Sequence, residues 1–323
     1  MAQEIFAYIN HKEGVLDDSA LELVSAAKAL LPDAAPKAIL TGAGDHLDAA
    51  CGDAAGSYGE VIKLDADALA YPNAELIRQA LIKVLPVGSI LLVAHDTLGM
   101  DLSPGLSIKM NTSFASDVVS FEGIEGTQLK LIRQEYGGQV SAHLTCDIGN
   151  GAVINVRPGA FAPDESKSAG GQVIDRSADI GTLNAKRRFL EVFEAETGDV
   201  DITKSEVLVS VGRGIEDEDN IEVAQELAEA VGADMSCSRP IVDAKWLEKS
   251  RQVGTSGQTV KPKVYIALGI SGSFQHMGGI KGAPFIVAVN KNPKAPIFQF
   301  ADVGVVEDLL DFVPELTEKI QEM

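Results

Sequence analysis

Near the C-terminal end of the chain the apolar run KVYIAL empties into GISGSFQHMGG, from Gly269 to Gly279. Small residues in such a loop let backbone approach a ligand closely, and free N–H groups can hold an anion. If the apolar run is a buried parallel strand, the loop lies at its carboxyl end, where open α/β sheets hold their ligands. A following helix would aim its N-terminal N–H groups at the same point. His276 stands in this loop with Ser273 and Gln275, away from any apolar run. An imidazole, with an ordinary pKa near 6.5, can carry a proton or charge toward a ligand that changes its own charge; a satisfied structural histidine is the plainer alternative. The spacing is neither GxGxxG nor GxxxxGK, so the loop alone implies a nucleotide-like ligand without naming its class.

Two further stretches have suitable chemistry. In VLVSVGRGIEDEDN a strand ends at Gly212 and Arg213 stands between two glycines. With side chains cleared from its surroundings, a guanidinium there can lie on a ring or fork onto phosphate; a plain turn with a solvated arginine remains the alternative. In SCSRPIVDAKWLEKSRQVGTSG, Ser236, Ser238 and Arg239 precede a loop of hydroxyls and glycines from Arg251 to Gly257. Hydroxyls and backbone N–H groups can bind phosphate or ring heteroatoms without formal charge. Trp246 reads as packing.

The elements that position these loops are read from hydrophobic period. EIFAYIN, KAIL, EVIKLD and SILLVAHD read as strands, alternating with helices in DDSALELVSAAKALL, HLDAACGDAA and NAELIRQALIKVL. Such alternation builds a mostly parallel sheet covered by helices. Between Thr112 and Phe161 the runs DVVSFEG, QLKLIRQEY, QVSAHLTCD and AVINVRPGAF are expected to add antiparallel strands. Residues 162–205 are polar without sustained period, and a domain boundary is placed near 199–204, giving domains 1–200 and 201–323. Beyond it EVLVSV, KVYIALGI and FIVAVN read as strands and EDNIEVAQELAEAVGA as a helix. A terminal helix over VVEDLLDFVPELTEKI is expected to bury Val305, Leu309, Phe312, Val313 and Leu316.

A chain of 323 residues is long enough for two domains. Its net charge of -20, from 27 basic against 47 acidic residues, repels nucleic acid and anionic membranes. The window from Ser236 to Lys294 runs the other way, with nine basic residues against two acidic. That local field suits a small polyanion; a solvated basic face is the alternative. Three scattered cysteines, no HxxxH pair and no CxxC give no metal or redox-pair pattern. With no secretory leader and no apolar run of about 18 residues, the expectation is a cytoplasmic protein not embedded in a membrane.

Taken together, VGRG, CSRPIVDA, SRQVGTSG, LGISGSFQHMGG, IVAVNKNPKAPIFQFADVG and EDLL, in that order from Val211 to Leu310, resemble the α subunit of electron transfer flavoprotein. The N-terminal half agrees more loosely, through INVRPGAF. The resemblance implies a C-terminal flavodoxin-like or Rossmann-like domain that holds FAD, and an N-terminal α/β domain that docks a β subunit, itself carrying AMP or a second nucleotide. By position it implies Arg213 over the flavin ring. Ser238, Arg239, Gln252 and the segment Val253, Gly254, Thr255 and Ser256 would contact the cofactor. Gly269, Ile270, Ser271, Gly272, Ser273, Phe274 and Gln275 would serve the diphosphate and ribityl region. His276 would lie near flavin O2, and Asn290, Asp308 and Leu309 at the adenosine end. Thr255 departs from the family's usual glutamine, while the next hydroxyl, Ser256, is kept.

The implied function is electron carriage without substrate turnover, from flavoprotein dehydrogenases such as the acyl-CoA dehydrogenases of fatty-acid β-oxidation to a membrane quinone oxidoreductase. Reduction places negative charge near flavin N1 and O2, which a cation or N–H donor at His276 and the charge of Arg213 would stabilise. An NADH-oxidising, electron-bifurcating complex is the alternative within the family. A nucleotide-binding regulatory module is the alternative outside it.

Overall fold

The computed structural model describes residues 4–32, 35–136, 140–166, 170–191, 200–280 and 284–322. The chain divides into two compact units, Met1–Glu191 and Val192–Met323. Of the boundary expected at 199–204, residue 199 lies outside the described residues.

The first unit runs β1 (Ile5–Tyr8), a small hairpin of β2 (His11–Lys12) and β3 (Val15–Leu16), α1 (Ser19–Leu30), β4 (Lys37–Gly42), α2 (Gly44–Ala54), β5 (Glu60–Asp65), α3 (Ala74–Val84), β6 (Ile90–Ala94) and α4 (Thr97–Met110). It continues with β7 (Ser113–Glu125), β8 (Gln128–Glu135), β9 (Val140–Asp147), β10 (Ala152–Val156) and β11 (Gln172–Asp175). Nine strands form one sheet in the order β11-β5-β4-β1-β6-β10-β7-β8-β9. The apolar faces of α1 and α2 pack on one side of it with β1, β4 and β10, and those of α3 and α4 on the other.

Three of the four runs expected to be antiparallel are so: β7 pairs antiparallel with β8, and β8 with β9. The fourth, AVINV, is not. β10 lies parallel between β6 and β7, and all five of its residues are buried. Burial on both faces explains its unbroken run, which is the signature of a central parallel strand. α4 is absent from the sequence reading because Gly99, Pro104 and Gly105 look like breakers. Asp96 caps it by accepting from Gly99 N–H at 2.6 Å, and Gly99 lies against the Ala94 carbonyl with no room for a Cβ. The polar segment also holds an edge strand, β11, parallel to β5.

The second unit runs β12 (Val207–Val211), α5 (Ile221–Val231), β13 (Asp234–Cys237), α6 (Arg239–Asp243), β14 (Val264–Leu268), α7 (Phe274–Met277), β15 (Phe285–Val289), β16 (Val303–Val305) and α8 (Leu309–Gln321). Its five strands are all parallel, in the order β13-β12-β14-β15-β16. Strand order therefore reverses between β12 and β14, a flavodoxin-like switch point. α5 and α8 cover one face, built on Val209, Val211, Ile266 and Leu268. The other face, with Leu208, Tyr265, Ala267 and Ala288, is covered by loop segments around Val253, Val260, Ile270 and Ile297. Val305, expected in the terminal helix, belongs instead to β16; the helix starts at Leu309, where Asp308 accepts from Leu310 N–H at 3.0 Å. Leu309 and Val313 are buried as expected, and Phe312 and Leu316 are partly so.

Candidate functional site

The switch point is built from backbone. Gly212 and Gly214 follow β12, Gly269 follows β14, and the two turns touch. Gly212 N–H donates to the Leu268 carbonyl at 2.8 Å and Gly214 N–H to the Gly269 carbonyl at 3.0 Å. A Cβ on Gly214 would lie 2.6 Å from Gly269 Cα, and one on Gly269 would lie 2.7 Å from Gly214 Cα. Gly269 also has φ +63°, in the left-handed region that glycine enters freely. The glycines flanking Arg213 thus serve loop contact rather than clearing the space around the arginine.

What these turns leave over is a run of donors. The N–H groups of Ile270, Ser271, Gly272 and Ser273 donate to no acceptor among the described residues. Four consecutive unspent N–H groups at the carboxyl end of a central strand form an anion-binding concavity. Gly272, with φ +80°, presses against the backbone of Ile297, whose N–H in turn donates to the Ser271 carbonyl at 3.0 Å. The opposite wall is similarly fixed: Thr255 N–H donates to the Gln275 carbonyl at 2.8 Å, and Gly254 has φ +140° with the Gln275 carbonyl 2.9 Å from a would-be Cβ. The Gln252 amide donates to Ser256 Oγ at 2.9 Å.

These loops enclose a cleft of about 680 Å³, within the range of small-molecule sites. Of the residues expected at the site, the structure brings to its wall Arg213, Ser238, Arg239, Gln252 through Ser256, Gly269 through Ser271, Ser273, Gln275, His276, Asn290, Asp308 and Leu309. Gly272 stands behind the wall and Phe274 is exposed outside it. Arg213 is exposed, and its guanidinium makes no hydrogen bond or ion pair among the described residues. Asn290 has a supporting task as well, donating from Nδ2 to the Ile270 carbonyl at 2.9 Å.

Three expectations change. His276, expected in an open loop, is only 5% exposed and hydrogen-bonds through Nε2 to the Tyr265 hydroxyl at 2.8 Å. Burial pushes its pKa down to about 4, so in this structure it is a neutral imidazole and not a cation. The basic window does not converge on the cleft either. Arg239 and Lys291 line it, but Lys245, Lys249 and Arg251 line a separate, more open groove of about 930 Å³ beside Trp246; Lys281 lies outside the described residues. Lys291 is ion-paired with Glu216, and Arg239 faces Asp243 at 3.4 Å. Third, α7 is a single turn, so the loop's own N–H groups replace a helix end as the anion site. Glu216, Asp243 and Asn292 also reach the cleft; sequence reasoning misses them, since neither acidic residues nor a lone loop amide signal an anion site.

The residues match a known pattern over most of the chain. Residues 5–180 match the Electron transfer flavoprotein domain and residues 201–281 the Electron transfer flavoprotein FAD-binding domain. The electron transfer flavoprotein subunit alpha of Methylophilus methylotrophus is 34% identical, over 98% of this chain and 99% of its own length. The chain belongs to the electron transfer flavoprotein α-subunit family. The electron transfer flavoprotein subunit alpha of Thermoanaerobacterium thermosaccharolyticum is 35% identical over 72% of the chain and 71% of its own. The lactate dehydrogenase (NAD(+),ferredoxin) subunit LctC of Acetobacterium woodii is also 35% identical, over 77% of the chain and 59% of its own length.

FAD is the cofactor of this electron transfer flavoprotein domain, and the cleft fits it. The unspent N–H run suits a diphosphate, and the glycine contacts leave the backbone close enough to reach one. The family's departure at Thr255 is structurally mild, because that position contributes its backbone N–H to Gln275 whatever the side chain.

Two outcomes are expected. Gly269→Ala should lose FAD binding and cost about 1–3 kcal/mol from backbone strain alone, whereas Gly232→Ala, at φ +65° with nothing within 4 Å of a Cβ, should suffer strain but keep FAD; equilibrium unfolding and FAD titration separate them. His276, neutral when folded and protonating near 6.5 when unfolded, makes the unfolded state bind the extra proton. Stability of the C-terminal unit should therefore fall as pH drops from about 6.5 toward 4, and His276→Gln should flatten that slope, as read by Trp246 fluorescence in urea.

Proposed function

We propose that this chain is the FAD-bearing subunit of a heterodimeric electron carrier. It takes electrons from flavoprotein dehydrogenases, acyl-CoA dehydrogenases among them, and passes them to a membrane quinone oxidoreductase. The observation that carries this reading is the run of four unspent N–H groups at the switch point, beside an arginine that is unpaired among the described residues. In this reading the N-terminal unit docks a β subunit, which holds AMP or a second nucleotide, and the assembly works in the cytoplasm. No described helix is long and apolar enough to cross a membrane.

FAD, when bound, supplies the one- and two-electron chemistry. The chain's own groups supply grip and electrostatics. Ile270 to Ser273 would hold the diphosphate by N–H donation, and the Ser238 hydroxyl and Arg239 would add polar contacts at the rim. Asn290, Asp308 and Leu309 would bound the adenosine end. Arg213 would lay a positive charge over the ring system, His276 would stand near its pyrimidine side, and Ser256, held by the Gln252 amide, would offer a hydroxyl to the ring.

A second reading has its own support. LctC is named as a subunit of an NAD- and ferredoxin-linked dehydrogenase, and the acryloyl-CoA reductase electron transfer subunit beta of Anaerotignum propionicum is 29% identical over 99% of the chain. In that reading the complex oxidises NADH and splits its electrons, with a further flavin in the partner subunit.

Co-expressed with its partner subunit, the chain is expected to purify yellow; a colourless complex that ignores added FAD would refute the carrier reading. Arg213→Ala should lower the first-electron equilibrium by about 1 kcal/mol, near fivefold, the scale of an exposed charge pair, while Arg213→Lys retains most of it; a dithionite titration followed by absorbance reads both. Mixing the complex with NADH should leave the flavin absorbance unchanged for a simple carrier, and bleaching would select the second reading.

A further inference from the structure

Glu216 is a strained residue on the lip of the cleft. The single turn after β12 ends on it with φ +71° and ψ −44°, and Asp217 N–H donates across it to the Ile215 carbonyl at 2.9 Å. This is the rarer kind of γ-turn, strained for any residue with a side chain. Asn111, by contrast, sits at φ +54° and ψ +45°, in the left-handed well that asparagine tolerates. Strain of the Glu216 kind persists only where the surroundings impose it.

An ion pair accompanies the strain. The Glu216 carboxylate accepts from Lys291 Nζ, and both residues line the cleft. Glu216 follows β12 and Lys291 follows β15, with β14 between them in the sheet. The pair therefore joins the two loops that flank the unspent N–H groups of residues 270–273. Asn290 fixes the loop under Lys291, donating to the Ile270 carbonyl at 2.9 Å and accepting from Asn292 N–H at 2.9 Å. Both charged side chains are half-exposed or more, and a pair that open stabilises the fold by less than such a turn costs. Its consequence lies in the charge of the cleft.

Among the described residues three cations, Arg213, Arg239 and Lys291, and three carboxylates, Glu216, Asp243 and Asp308, line that cleft. Asp243 stands against Arg239 as Glu216 does against Lys291. The anion site thus has no net side-chain charge and grips through peptide N–H groups. That suits the internal diphosphate of a dinucleotide. The terminal phosphates of ADP or ATP carry more charge, and phosphate-binding loops meet them with a lysine.

We infer that Glu216 is a specificity-determining residue: by binding Lys291 it withholds the wall's one described lysine from the anion site, and so selects an internal diphosphate against nucleotides with terminal phosphates. The inference rests on the function proposed above only in taking the dinucleotide to be FAD; the charge selection is a property of the cleft. A carboxylate that repels the wrong ligand is the unfavourable half of specificity.

The test titrates the full chain with ADP, ATP and FAD by calorimetry without magnesium. Wild-type chain is expected to bind ATP more weakly than ADP. Glu216→Gln should tighten ATP about fivefold or more, the scale of one charge-assisted hydrogen bond to phosphate, and tighten FAD less. Adding Lys291→Met to Glu216→Gln should abolish the gain. Glu216→Gly, which removes the carboxylate and also relieves the turn, should repeat the gain with a raised thermal midpoint, so that selectivity and folding are read apart. ATP affinity unchanged in both single variants overturns the inference. So does a gain that survives Lys291→Met, or an FAD gain equal to that of ATP. FAD failing to bind wild-type chain would instead refute the function proposed above, with the ADP and ATP titrations still deciding the role of Glu216.

Discussion

Two stretches of main chain meet where Gly212 and Gly214 lie against Gly269, with no side chain between them. That contact fixes the distance between the turns after β12 and β14, and hence the width of the crevice at the switch point. Because the Gly212 and Gly214 N–H groups are spent across the contact, the chain past Gly269 leads away with its next four N–H groups unmatched. The run of free donors is therefore a by-product of loop packing. The serines supply polar lining, but the donors are peptide groups, which neither titrate nor reorient.

Much of this was legible. Parallel strands whose residues are all apolar, such as ILLVA and VYIAL, announce themselves, and glycine-rich turns after such strands mark the ligand end of a sheet. AVINV misleads because it comes after three antiparallel runs in sequence, and nothing local says that the chain returns to the sheet centre beside β7. α4 is hidden because Gly99 and Pro104 break the expected period, although Gly99 is demanded by close approach to Ala94. β13 and β16 are too short to show a period at all.

At the site, residue types in loops were informative and their protonation states were not. His276 reads as an open-loop histidine until the fold brings it against Tyr265, five residues upstream of Ile270 and on the far side of the turn. Nothing in the sequence links those two positions. Charge counting likewise overstates the field in the cleft, because Lys245, Lys249 and Arg251 belong to a different surface and Lys291 is compensated by Glu216. The positive charge left uncompensated is mainly that of Arg213, which stands outside the basic window.

Thr255 illustrates the consequence of a wall held by peptide groups. Its N–H bonds to Gln275 regardless of the side chain attached, so the side chain at that position can be exchanged without losing the bond that frames the cleft. In the proposed carrier, clasp and voltage would be written in different alphabets, one in main chain and the other in side chains. If the flavin sits as proposed, a lineage could retune it by swapping a hydroxyl or an amide along this wall while the main-chain frame stays where it is.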